Sequence, residues 1–440
     1  MINSSARDNI LRLAREAWES APKADFVPGE TYIPASGKVI DSEDLVSVLD
    51  ASMDMWLTAG RYADEFETEL ATRFGRKLSK LTVSGSAANL LAFSTLTSRK
   101  LGDRAIKPGD EVITVAAGFP TTVAPIVQNR AIPVFVDIDV ATHNVDVDAL
   151  EAAIGPKTRA IMIAHSLGNP FDAPRIAELC KKHDLYLIED CCDAFGAEID
   201  GRPVGTFGDL ATLSFYPAHH ITTGEGGAVF MDSIRLARIT ESYRDWGRDC
   251  YCKPGMDNTC GKRFGWKLGN LPEGYDHKYT YSHLGYNLKV SDMQAACGLS
   301  QLKKLDGFVE KRRENFSELT RLFKAAGLEE FFELPVATPG SNPSWFGYLL
   351  TIRDSVPLAR AKLTALLEER KIGTRLLFGG NLIKQPAFDG VEYRVSGSLE
   401  KTDKIMHDSF WIGVWPGIDA PRREYITETL TASVKDLISS

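Results

Sequence analysis

No stretch of this sequence reaches the length of apolar residues needed to cross a bilayer. Its first residues, MINSSARDNILRLAREAWES, lack the apolar core of a secretory leader and read as an amphipathic helix. Basic charge is not in excess: 51 Lys and Arg against 59 Asp and Glu leave a net charge of −8. That balance argues against a general nucleic-acid binder, which usually presents a basic face. Internal repeats and low-complexity tracts are missing as well. The expected setting is the cytoplasm, with no membrane or nucleic-acid partner. Without a secretory signal, the seven cysteines do not suggest a disulfide framework. Three of them crowd into DCYCKPGMDNTC, residues 249–260, which points first to metal or redox use.

What is present is ordinary for a globular enzyme of two or more domains: 440 residues, 44% hydrophobic and 25% charged. Residues 1–40 read as an N-terminal helical segment. From 41 to 325 the pattern is that of a large α/β domain, and 326–440 reads as a smaller α+β domain. Apolar β-branched runs alternate with helix-length segments, which predicts a mostly parallel central sheet covered on both faces. Ligands gather at the carboxyl ends of such strands. Ser84, Asp137, His165, Asp190 and Ser214 all fall at or just beyond predicted strand ends. The Ser-Gly-Ser turn at 84–86 precedes a predicted helix, so Gly85 and Ser86 could hold a phosphate or merely form a cap. At about 241–285 the alternation breaks down into an insert that carries Cys250, Cys252 and Cys260; so long a loop suggests function. A long helical run, beginning at VSDMQAACGLSQL, follows it.

The most informative stretch is SFYPAHHITTGEGGAVF, Ser214–Phe230. Together with the Ser-Gly-Ser turn, LIEDCCDAFG, WLTAGRYADEFE and GYNLKVSDMQAACGLSQL, it makes the chain resemble, over nearly its whole length, the fold-type I, pyridoxal-phosphate-dependent sugar aminotransferases of the DegT/StrS type. The resemblance implies that Gly85 and Ser86 cradle the cofactor phosphate and that Ser214 adds a hydroxyl to it. Phe119 would lie against the pyridine ring, and Asp190 would pair with the ring nitrogen. Asn287 would reach the phosphate site of a neighbouring subunit, implying a homodimer. A carboxylate beside that nitrogen keeps it protonated, which makes the ring a better electron sink.

The departures carry the functional reading. His219 stands where the resemblance calls for the lysine that holds the cofactor. Imidazole cannot form that bond, yet it moves protons near neutral pH. A cofactor held without a covalent bond, as pyridoxamine phosphate, could condense with a sugar ketone while His219 handles the proton; loss of a β-hydroxyl would replace amino transfer. Asp193, near the ring hydroxyl, is a second departure, and Tyr216 a third.

Cys192 is followed after 57 residues by Cys250, after one more by Cys252 and after seven by Cys260. By spacing, this resembles the ligand set of the iron–sulfur dehydrases that make 3,6-dideoxyhexoses. Four thiolates alone suit either zinc or a [2Fe–2S] cluster; the deoxygenation needs two electrons, which favours iron. Cys191 remains a substitute for Cys192. The resemblance implies CDP-4-dehydro-6-deoxyglucose as substrate, a lipopolysaccharide O-antigen product, and an NAD(P)H-dependent iron–sulfur flavoprotein reductase as electron donor. The rival readings are a sugar aminotransferase with another base, a cluster-free dehydrase, and a non-catalytic ligand-binding member of the fold.

Overall fold

The alternating apolar runs form seven main strands: β1 (Leu78–Thr82), β2 (Glu111–Val115), β3 (Ile132–Val136), β4 (Thr158–Ala164), β5 (Tyr186–Asp190), β6 (Leu210–Ser214) and β7 (Gly227–Met231). The structure is a computed structural model, and it describes residues 2–22 and 24–439. The order across the sheet is β1-β7-β6-β5-β4-β2-β3, with the two-residue strand Arg394–Val395 added parallel to β3. Among these strands only β7 runs antiparallel to its neighbours. The mostly parallel α/β sheet expected from the sequence is therefore present. The reversal at β7 brings the 215–226 turn back to the sheet end where the parallel strands finish.

Burial follows the two-residue period of a strand. In β7, Ala228 and Phe230 pack with Phe66, Leu70 and Phe74 on one face. Val229 and Met231 face Leu91, Phe93 and Leu96 on the other. The polar residues Asp190 and Ser214 end β5 and β6, with Ser84, Asp137 and His165 just past β1, β3 and β4. Helices cover both faces, so these strand ends are the natural opening.

The helical spacing over 41–75 becomes two helices, Ser42–Met53 and Arg61–Phe74. The long run after the insert is likewise two helices, Asp292–Leu302 and Leu305–Ala325; at the break Lys304 Nζ reaches Asp41 and Asp44 at 2.6 and 2.7 Å. The C-terminal part has a three-stranded antiparallel sheet of Phe332–Glu333, Gly347–Ile352 and Ser409–Gly413. Its core, around Phe323, Tyr348, Phe410 and Leu430, also takes Ile33 from the N-terminal part. The helix Ile234–Arg244 runs through the first residues of the expected insert. From 245 to 285 the longest regular element among the described residues is the short turn His277–Tyr279. This segment is nonetheless tied down by Arg263–Asp276 (2.7 Å), His277–Asp249 (3.1 Å) and Lys253–Asp64 (2.6 Å). No helix among the described residues is long and apolar enough to cross a membrane.

Candidate active site

The turn expected to hold a phosphate is built by close approach. Ser84 caps the helix Gly85–Leu96, its Oγ accepting from the Ala87 amide at 3.0 Å. The helix thus starts at Gly85, inside the Ser-Gly-Ser turn expected to precede it. A Cβ on Gly85 would lie 2.4 Å from the Ser214 Cβ and 3.1 Å from the Cys192 Sγ, and one on Gly227 would lie 2.4 Å from the Ser84 carbonyl oxygen. Only glycine lets the turn meet the ends of β6 and β7. The Gly85 and Ser86 amides are not used inside the helix, and such a helix start favours an anion. Ser86 Oγ lies 3.0 Å from Thr121 Oγ1. Gly85→Ala is expected to weaken phosphate-dependent cofactor binding by about tenfold or more, since the Ser214 Cβ is rooted in a strand and cannot yield. Adding Ser214→Gly should restore part of it, as measured by titration with pyridoxal phosphate.

Asp190 is buried at the end of β5. Its Oδ2 accepts from Asn89 Nδ2 at 2.8 Å and Thr122 Oγ1 at 2.7 Å, and its Oδ1 accepts from the Cys192 amide at 3.1 Å. Three donors hold the carboxylate in place and leave lone-pair capacity on Oδ1, which suits an N–H donor such as a protonated ring nitrogen. Sequence reasoning missed Asn89 and Thr122, because nothing local distinguishes them from helix residues. Phe119 precedes the helix Pro120–Gln128 and is half exposed, its ring nearly at right angles to that of Phe378 with centroids 5.9 Å apart. A flat ring could therefore lie on it. The donor set and the glycine-lined cradle fit pyridoxamine phosphate.

His219 sits in the turn that returns from β6 to β7. Its Nδ1 is 3.4 Å from Asp193 Oδ1, and its ring lies 5.2 Å from that of Phe346. Behind it, the fully buried Arg312 donates to the carbonyls of His219 (3.3 Å) and Trp345 (3.2 Å). Burial pushes the Asp193 carboxyl above its ordinary range, against the pull of His219. His220 turns away, its Nε2 at 2.9 Å from the Ser344 carbonyl oxygen; burial, helped by the Arg312 charge, pushes its pKa well down. Tyr216 is exposed, and its amide donates to Ser214 Oγ at 3.4 Å.

Asn287 touches none of these residues. It bridges to Asp245, and its Oδ1 accepts from Lys289 at 2.9 Å. His165 is also outside the site: it stacks on Phe171 and pairs with Glu189 at 3.2 Å. His165, Glu189 and Cys191 lie close enough for a metal, but Glu189 already takes the amides of Gly205, Phe207 and Gly208, and His165 Nδ1 takes that of Phe171.

Three of the four expected metal ligands share one hollow, without forming a group tight enough for a single ion. Cys250, Cys252 and Cys260 line one small hollow in the insert, beside His277. Cys252 Sγ is 3.0 Å from Thr259 Oγ1, and Cys260 Sγ accepts from the Lys262 amide. Cys192 does not line that hollow. Its sulfur is against Gly85 in the cofactor cradle, where burial and the Asp190 charge push the thiol well above its usual range. Cys191, fully buried, points into the core with its Sγ toward the Glu189 carbonyl. A cleft of about 730 Å³ opens beside the insert between Trp56, Lys80, Arg244, Cys252 and Lys289, and not over the cradle.

Comparison with known proteins places this geometry. Residues 38–431 match the DegT/DnrJ/EryC1/StrS aminotransferase family. The chain is 56% identical over 427 residues to the lipopolysaccharide biosynthesis protein RfbH of Salmonella typhimurium, covering 97% of each chain. It is 52% identical to the dTDP-4-dehydro-2,6-dideoxy-D-glucose 3-dehydratase of Saccharopolyspora spinosa, over 98% of this chain and 92% of that one. Among solved structures, E. coli GDP-4-keto-6-deoxy-D-mannose-3-dehydratase with bound hydrated PLP superposes with a TM-score of 0.82, at 28% identity, over 91% of this chain and 100% of the other.

Proposed function

The chain belongs to the DegT/DnrJ/EryC1/StrS aminotransferase family, and on that footing we propose that it is a deoxygenating enzyme: a pyridoxamine-phosphate-dependent dehydrase that removes the 3-hydroxyl of a nucleotide-linked 4-keto-6-deoxyhexose. The observation that carries this reading is His219, a proton carrier beside Asp193, in a turn without lysine whose surrounding cofactor cradle is intact. Two compared proteins named as sugar 3-dehydratases support it.

Pyridoxamine phosphate, when bound, supplies an amine for the sugar ketone and a ring that stores electrons. The chain's own residues do the rest. Gly85, Ser86 and Ser214 would hold the phosphate, Phe119 would back the ring, and Asp190 would keep the ring nitrogen protonated. His219 would move the proton at the cofactor methylene and assist departure of the 3-hydroxyl. Asp193, 3.4 Å from Nδ1, would orient the ring so that Nε2 serves that proton. Tyr216 flanks the opening, and Asn287 serves the cradle of a second subunit in a homodimer.

The finer features belong to the same reading. The substrate is CDP-4-dehydro-6-deoxyglucose, and the product enters 3,6-dideoxyhexose and O-antigen synthesis in the cytoplasm. Cys192, Cys250, Cys252 and Cys260 would hold a [2Fe–2S] cluster, which would supply one-electron chemistry, with an NAD(P)H-dependent iron–sulfur flavoprotein reductase as the electron donor. Assaying CDP-, dTDP- and GDP-linked 4-keto-6-deoxyhexoses, with and without a reductase, tests it. Dehydration should prefer CDP, and glutamate with a keto sugar should give no amino sugar. Formation of an amino sugar would overturn the reading in favour of transamination.

The Asp193 carboxyl adds a pH signature. Because its folded pKa is raised, the folded chain keeps a proton that the unfolded chain releases above about pH 4. Stability contributed by this group is present below that pH and lost as pH rises through the raised value. Asp193→Asn removes the titration and is expected to flatten the dependence of Tm on pH there. Turnover should fall by about 10²-fold as His219 loses its guide.

A further inference from the structure

The four cysteines that match one spacing pattern do not form one site within the chain. Cys250, Cys252 and Cys260 share a hollow, whereas Cys192 packs against Gly85, at the start of the helix Gly85–Leu96. The insert is anchored past the other end of that helix. Asp249, next to Cys250, is held by Lys100 at 2.5 Å and by Ser282 at 2.7 Å, and His283 Nε2 lies 2.7 Å from Ser98 Oγ. Twelve helical residues span about 18 Å. Cluster ligands must surround one small site, and the hollow lined by Cys250, Cys252 and Cys260 is not lined by Cys192.

We infer that the metal centre is completed between two copies of this chain, with Cys250, Cys252 and Cys260 from one and Cys192 from the other. This inference rests on the cluster proposed above. The surface around the insert supports it. Phe264 (61%), Tyr281 (52%) and Leu284 (97%) are exposed there, and so are Met55 (71%) and Leu57 (62%) next to Trp56, which contacts the insert at Gly255. A concentration of exposed large apolar side chains marks a contact surface. The occupant that supplies the missing thiol is a second copy. Cys192 is half-buried at the open cofactor cradle, where Phe119 and Tyr216 are also exposed. A two-fold interface is reciprocal, so an insert that reaches the partner's cradle generates two identical centres. It also places each centre beside the partner's cofactor, where single electrons have to arrive.

The competing same-chain ligand is His277. It is buried in the hollow, with Nε2 on Asp249 and Nδ1 without a hydrogen-bond partner. One experiment separates the two arrangements. Differently tagged Cys192→Ser and Cys260→Ser chains are co-expressed, and the mixed dimer is purified without air through both tags. Iron, sulfide and visible absorption are then measured, with pyridoxal phosphate binding as a check on folding. In the shared arrangement each variant homodimer has no complete centre. The mixed dimer has one intact and one doubly broken centre, so it should carry about half the iron and sulfide of the unmodified dimer. A mixed dimer with no cluster would overturn the inference and place all four ligands in one chain. A Cys192→Ser homodimer that keeps its full cluster, together with a His277→Ala chain that loses it, would overturn it in favour of His277. An unmodified dimer that is colourless and holds zinc would instead overturn the underlying cluster.

Discussion

His219→Lys is expected to turn a protein that holds its cofactor reversibly into one that holds pyridoxal phosphate covalently. After treatment with borohydride the cofactor should remain with the denatured chain, whereas from the unmodified protein it should wash away. Removal of the sugar hydroxyl should fall by about 10²–10³-fold, because the imidazole that handles the proton is gone. Amino sugar should appear when glutamate and a keto sugar are supplied. The neighbour of His219 tempers this result. An ammonium 3–4 Å from the Asp193 carboxylate is stabilised in its charged form, and a charged amine cannot attack an aldehyde. The His219→Lys/Asp193→Gln double variant should therefore retain a larger share of covalent cofactor than the single variant. If neither variant retains any after borohydride, His219 does not occupy the position assigned to it.

Asp190→Asn carries the second large effect. The carboxylate accepts three hydrogen bonds, two of them on Oδ2 from Asn89 and Thr122. An asparagine that satisfies those two donors with its carbonyl oxygen must turn its NH2 toward the Cys192 amide and toward the ring nitrogen. Donor then faces donor, and the ring nitrogen loses its proton. Turnover is expected to fall by about 10²–10³-fold, the scale seen when one preorganised electrostatic partner is removed. The cofactor should still bind, because Gly85, Ser86 and Ser214 are unaffected. Turnover within threefold of the unmodified enzyme would exclude ring protonation as the role of Asp190. Binding is checked by the cofactor's own absorption, which separates this outcome from simple loss of occupancy.

The sequence is informative where chemistry forces a local pattern. Alternating apolar runs revealed the parallel sheet, and the strand-end positions of Asp190 and Ser214 followed from that pattern. The glycine at 85 could be singled out as well, although the reason it must be glycine, the Ser214 Cβ 2.4 Å from where its own would stand, emerges only when two distant strands meet. Asn89, Thr122 and Arg312 left no trace, because each acts on a partner dozens of residues away. The split of the cysteines was hidden for the same reason. A spacing pattern counts residues along the chain, whereas the distance between Cys192 and the insert depends on the helix Gly85–Leu96 lying between their anchor points. The break at Lys303–Lys304 left no local pattern either, and the partners of Lys304 there, residues 41 and 44, lie far outside any local window.

Arg312 has a mechanical consequence. It belongs to the helix Leu305–Ala325, whose far half gives Phe316, Leu319 and Phe323 to the C-terminal core, and its guanidinium grips the backbone of His219 itself. The turn that carries His219 is thus tied to a helix rooted in the C-terminal core. A displacement of that core relative to the sheet would reach the His219 backbone through this bond, so a test that moves one should be read at the other.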